Sequence, residues 1–276
     1  MNRIARLPVL AASLVVLMVA LTGCAKLKAR DQLNKGVESF KAGKYEEAIN
    51  HFQQASQLDP TLPTAKAYLA TALSQNVVPG LSTPENLKTA NQAIQTFQEV
   101  LAADPSNINS MKGIASLYFN MKKFDDARTW QKKVLAVDPK DPEAAYTVGV
   151  IDWTLAHENL LKMLNNNDDG VGNVKALTKA NCTEIQQENG PLVEEGIKYL
   201  QQAVDNRPNY DDAMSYMNLT YRRKADVDCG DAAAVKDDVA KALDWSAKAM
   251  GTRKENENKK NQGSGGITLD SNGNMK

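Results

Sequence analysis

Gly43-Lys44-Tyr45-Glu46-Glu47-Ala48-Ile49-Asn50-His51-Phe52-Gln53-Gln54-Ala55-Ser56-Gln57-Leu58-Asp59-Pro60 is the stretch that decides the fold. It reads as an apolar helical segment closed by Asp59-Pro60, because proline lacks the N–H that would continue a helix and disfavours helix at the residue before it. Asp104-Pro105, Asp138-Pro139 and Arg207-Pro208 close three further apolar helical stretches, and the middle pair lies 34 residues apart. A recurring period of this size marks stacked supersecondary units.

With Gly36 seven residues upstream of Gly43, the quoted stretch resembles the second helix of a tetratricopeptide (TPR) repeat, whose period is 34 residues. The resemblance covers roughly residues 29–250. It implies an all-α fold, a TPR superhelical solenoid of antiparallel helix pairs with about five repeats, whose first helices begin near Ala29, Pro63, Ile108, Pro142 and Asp211. It places Gly36, Ala70, Ala115 and Gly149 where two helices approach too closely for a large side chain. Ala48, Ala93, Ala127, Gly196 and Ala242 face them. Ala55, Ala203 and Ala249 fill the next small position, with Val100 and Val134 in the other copies, and Tyr45 and Phe124 plug the turn between helices. Leu33, Ile114, Leu117, Val148, Ile151, Leu200 and Met217 are core by their spacing.

Two copies carry long inserts. About 11 extra residues fall near Gln75 to Pro84, where Pro79-Gly80 and Pro84 predict a loop. The fourth copy is 35 residues longer than the period, which predicts elongated helices running through Leu164, turning at Asn165 to Gly172 and returning through Val174 to Asn189.

The two ends differ from the array. Residues 1–23 hold no acid, two bases (Arg3 and Arg6) and an apolar run from Leu7 to Leu21, the pattern of a cleaved secretory signal. Leu21-Thr22-Gly23-Cys24 resembles the lipobox of bacterial lipoproteins, which implies that Cys24 is the lipidated (palmitate-type acyl) first residue of the mature chain. An uncleaved anchor, or an ordinary signal with a chance Cys, is the competing reading. Ala25 is not the aspartate that retains enterobacterial lipoproteins at the inner membrane, so the resemblance favours the outer membrane, facing the periplasm. Residues 24–28 are expected to be a lipidated linker, 29–250 the solenoid and 251–276 a disordered polar tail.

Composition narrows the chemistry. Thirty-three Lys+Arg balance 33 Asp+Glu, against a protein that neutralises nucleic-acid phosphates. Two histidines and three cysteines leave little for catalysis, a transition metal or a disulfide-built scaffold. Neither His51 nor His157 has a Ser or Cys placed as a nucleophile. Asn165, Asn167, Asp169 and Gly170 mimic half of a calcium loop, but Ala176 stands where a bidentate Glu is needed, so a helix-joining turn is preferred. The expectation is a protein without enzymatic activity, metal or cofactor.

In an oxidising compartment Cys182 and Cys229, both in turns between the helices of adjacent repeats, are a candidate disulfide closing a 48-residue stretch, with two buried free thiols as the alternative. By the TPR resemblance, binding belongs to a groove lined by the first helices. Its family contact positions are Arg30, Phe40, Asn109, Lys112, Phe119, Asn120, Tyr146, Trp153, Arg222 and Arg223, a mixture suited to a peptide. The competing reading makes Phe40 and Trp153 packing between repeats and the two arginines a solvated helix end. Leu33 and Val37 occupy the places where chaperone-docking TPR domains carry Lys and Asn, so that carboxylate clamp is missing. The expected protein is a lipid-anchored scaffold binding envelope proteins or peptides during envelope assembly or secretion, possible members of a multiprotein assembly. An anchored accessory to cell-wall or polysaccharide enzymes is the second reading.

Overall fold

Proline or a side-chain cap starts several of the helices, although α2 and α9 begin with neither. Pro63, Pro84 and Pro142 each stand at a first helical position, where the missing N–H has no partner to lose. Thr83, Asn107 and Asp141 accept hydrogen bonds from backbone N–H groups of the following turn. The computed structural model describes residues 6–164 and 178–263. Within them lie α1 (Arg6–Lys41), α2 (Tyr45–Leu58), α3 (Pro63–Gln75), α4 (Pro84–Ala103), α5 (Ile108–Asn120), α6 (Phe124–Val137), α7 (Pro142–Met163), α8 (Lys179–Asn206), α9 (Asp211–Val227) and α10 (Ala232–Gly263). No strand occurs among the described residues.

The helices end by a repeated device. Asp59, Asp104 and Arg207 follow α2, α4 and α8 with nearly the same backbone angles, φ −139°, −134° and −141° and ψ 88°, 86° and 85°. Each precedes a proline, which forces it out of the helical region. Asp59 then accepts from the Thr61 hydroxyl and N–H, and Asp104 from Ser106 and Asn107. Those hydrogen bonds hold both carboxyls below the usual range.

Two compact units divide the chain, Met1–Trp130 and Gln131–Lys276. In the first, α1 packs on α2, α2 on α3, α3 on α4 and α4 on α5. Gly36 is required by proximity, since a Cβ there would lie 2.5 Å from the Phe52 ring. In the second unit α7 packs on α8, α8 on α9 and α9 on α10. Here a Cβ on Gly149 would lie 2.4 Å from Leu200 Cγ and 3.1 Å from the Gly196 carbonyl oxygen. All the small residues assigned to facing positions are buried. Of the expected core residues, Leu33 is half-buried against Ala48, Phe52 and Ala72, and the other six are fully buried.

Cys182, in α8, is bonded to Cys229, in the turn before α10, with the Cα atoms 5.9 Å apart. Nearby, Lys224 pairs with Asp228 at 2.5 Å and with buried Asp238 at 3.4 Å, joining α9 to α10. Burial and the hydrogen bond to Asp228 push the Asp238 carboxyl up to about 6.

Several boundaries differ from the expectation. Residues 24–28 are part of α1 rather than a linker. The second-copy insert is the expected loop, residues 76–83 between α3 and α4, and α4 at 20 residues is in addition longer than the 14 of α2 and α6. The elongated fourth pair is α7 and α8, 22 and 28 residues long, with α8 continuing through Pro191. Buried Asn189 ties them, donating to the Ala156 carbonyl at 2.8 Å and accepting from Asn159 at 3.0 Å. Their joining turn, with Asn165, Asn167, Asp169, Gly170 and Ala176, lies outside the described residues. The polar tail does not start at Gly251, since α10 runs to Gly263. Arg253 bridges Asp211 and Asp212, and Asn256 donates to the Asn209 carbonyl and Asp211, so polar contacts hold a stretch that has no apolar stripe toward α9.

Candidate peptide-binding faces

On the first unit, the expected groove residues divide by environment. Arg30 and Asn109 are exposed, while Lys112 and Asn120 are half-buried. Phe40 packs its ring 5.4 Å from Tyr45 and rests on the Ala48–Phe52–Ala72 cluster. Phe119 meets Phe124 edge-on at 5.5 Å. These two phenylalanines close the turns between paired helices, which supports the packing reading made for Phe40. Asn120 lines a pocket of about 160 Å³ with Val77, Leu81, Asn86 and Met121. Asn86 organises that wall by bonding the Val78 N–H and the Val78 and Leu81 carbonyls. His51 makes a hydrogen bond with Gln32 at 2.7 Å, a structural role on a half-buried surface.

The second unit gathers its rings. Tyr146 and Trp153, seven residues apart on α7, both meet Tyr216 of α9 edge-on, at 5.6 and 5.4 Å between centroids. Tyr210, capping α9, lies 4.9 Å from Tyr146, and the His157 imidazole stacks on Trp153 at 5.0 Å. Arg207 extends the strip, its guanidinium 4.6 Å from the Tyr210 centroid and 3.1 Å from Glu143. All four aromatic residues are half-buried. Burial raises the Tyr146 and Tyr216 phenols and pushes Tyr210 up to about 12, so the three hydroxyls stay protonated at physiological pH. The Trp153 indole N–H is enclosed with no acceptor among the described residues, so this ring offers contact area rather than a hydrogen bond.

The arginine pair behaves differently from the expectation. Arg223 is 3% exposed, 3.3 Å from Asp226 on the next turn, with Nη1 3.5 Å from His157 Nδ1. Paired with a carboxylate three residues on, it is satisfied inside the unit and does not face a groove. Arg222, half-buried, donates Nε to Asn218 at 3.1 Å. Spacing on α7 could find Tyr146 and Trp153. Tyr210 and Tyr216 were missed because only the packing of α9 on α7 brings them to the same strip.

Residues 36–77 match a model described as TPR repeat, and residues 87–149 one described as tetratricopeptide repeat. The chain carries tetratricopeptide repeats. Among curated proteins, it is 28% identical over 127 residues to sperm-associated antigen 1 of Mus musculus, covering 46% of this chain and 13% of that one. It is 30% identical over 115 residues to Hsp70-Hsp90 organizing protein 3 of Arabidopsis thaliana, covering 42% and 19%. The chain thus spans less than a fifth of the length of these two relatives. The solved structure of MamA residues 41 to the end from Desulfovibrio magneticus RS-1 superposes with a TM-score of 0.56 at 18% identity, over 83% of this chain and 96% of that one. That likeness shows a shared repeat fold.

Proposed function

We propose that the protein is a lipid-anchored tetratricopeptide scaffold of the bacterial envelope. It captures a protein or peptide segment on the first-helix faces of its repeats, at the outer membrane facing the periplasm. The observation that carries the binding half is the strip of Tyr146, Trp153, Tyr216 and Tyr210, half-buried rings on α7 and α9. Rings held by one another give contact area at little entropic cost. The match to a protein named Hsp70-Hsp90 organizing protein 3 supports a protein partner. The partner differs in kind from a chaperone carboxylate, because Leu33 and Val37, at the clamp positions, pack against the Ala48–Phe52–Ala72 cluster.

Membrane attachment rests on the signal-like residues 1–23 and the lipobox, and is supported by the exposure of Cys24 and of Leu27, which is 72% exposed three residues on. From Cys24 onward no described helix is long and apolar enough to cross a membrane.

In-cell cross-linking with mass spectrometry tests the binding half. Trp153→Ala is expected to reduce recovery of cross-linked partners at least tenfold, about 1.4 kcal/mol, with helicity by circular dichroism unchanged. An unaltered partner profile would overturn the assignment of this strip. Fractionation tests the anchor: Cys24→Ser should leave a soluble or unprocessed chain, whereas a cleaved Cys24→Ser chain still held at the membrane would rule out acylation as the tether.

A further inference from the structure

The outward side of α10, the last described helix, carries an apolar stripe. Leu243 is 58% exposed and Met250 65% exposed, and Ala240 and Ala247 are exposed between them. Spacings of three and four residues put these four on one face. The opposite face, with Asp238, Ala242 and Ala249, is buried. Lys236 and Lys254 bound the stripe, and the ion pairs Asp237–Lys241 and Asp244–Lys248 run along one flank. In repeat arrays each unit buries its apolar face on the next one, and the terminal unit stays soluble through a polar outer face. Among the described residues no element covers Leu243 and Met250.

We propose that the stripe is the contact surface for a second copy of this chain, with two α10 helices packed antiparallel about a two-fold axis level with Trp245. The spacing of large and small residues argues for this occupant. About that axis Leu243 falls opposite the partner's Ala247, and Met250 opposite the partner's Ala240. Every bulky side chain then meets a small one, and the relation repeats with the copies exchanged, as an isologous contact requires. A parallel pairing in register would set Leu243 against the partner's Leu243 and leave the alanines facing a void. The flank charges agree, with Asp244 about 3 Å along the axis from the partner's Lys248, twice by symmetry, whereas Lys236 falls level with the partner's Lys254 at either end, a like-charge pairing that weakens the dimer at low salt. From Lys236 to Lys254 the stripe is about 27 Å long at the helical rise, a contact at the small end of stable interfaces. The dimer is therefore concentration-dependent, with dissociation in the micromolar range.

Sedimentation velocity on the chain from residue 24 onward, carrying Cys24→Ser, tests this. The mass is expected to double between about 1 and 100 µM, the range for a contact of this size. Leu243→Lys with Met250→Lys is expected to stay monomeric with unchanged helicity. Ala247→Met keeps the stripe apolar but fills the hollow that receives the partner's Leu243, and is expected to weaken the dimer at least tenfold. A wild-type chain that is monomeric throughout overturns the proposal, as does a dimer indifferent to the double lysine variant. A dimer tightened by Ala247→Met also overturns it, since that would mark unspecific apolar association, and so does a mass rise that continues past two copies.

Discussion

Gly149→Val is expected to destabilise the second unit by about 3 kcal/mol, at the upper end of the usual cost of overfilling a packed core. The added Cβ would begin 2.4 Å from Leu200 Cγ and 3.1 Å from the Gly196 carbonyl oxygen. Leu200 is fully buried and has no space to swing into, and the carbonyl belongs to helix backbone. Relief therefore requires α7 and α8 to separate, which loosens Val148 and Ile151 as well, both fully buried. Valine recovers only a fraction of this through better helix propensity than glycine. For a chain of this size about 3 kcal/mol lowers the melting midpoint by roughly 6–12 °C. Thermal unfolding followed by circular dichroism, with hydrogen exchange to localise the loss to α7 and α8, measures it. A Gly149→Val chain that melts with the wild type would contradict the close approach.

Loss of the Cys182–Cys229 bond is expected to cost about 4 kcal/mol by loop entropy, given the sequence separation of 47. The local structure says where the loss appears. Residues 179–190 of α8 bury Ile185 and Asn189, and every other residue in that segment is at least partly exposed. The disulfide fixes the start of this segment to the turn before α10. Cys182→Ser with Cys229→Ser should thus raise hydrogen exchange first in residues 179–190 while residues 29–130 keep wild-type protection. Equal denaturation midpoints with and without reductant would remove the disulfide from the account of stability.

The repeat skeleton was legible because its determinants are local. Pro63, Ile108 and Pro142 begin helices where expected, since a proline or a cap acts within one turn, and Asp211 begins one with neither. The residues at the close approaches were legible for a related reason: a glycine or alanine that recurs at a fixed period along helices marks where a neighbouring backbone comes near. Gly113, which sits against the Phe97 ring, was missed because that approach joins neighbouring repeats and has no fixed place in the pattern. Arg223 reads as a surface cation until Asp226 and His157 are seen around it. The extension of α10 beyond Gly251 was hidden because Arg253 and Asn256 hold it by polar contacts, which leave no periodicity. The strip of rings was half legible, with α7 supplying residues that spacing can find and α9 supplying residues that only packing reveals.

The continuity of α1 sets the reach of the protein. Cys24 and Ala29, the first buried residue from Cys24 onward, lie in one uninterrupted helix. Five residues of helical rise amount to about 7.5 Å, comparable with the headgroup layer of one bilayer leaflet. In a chain acylated at Cys24 the repeats would therefore stand directly on the lipid surface, without a slack leash on which to search the space between the membranes. Cargo of such an acylated chain would have to arrive at that surface, and the territory served would be a thin shell over the bilayer rather than the whole compartment.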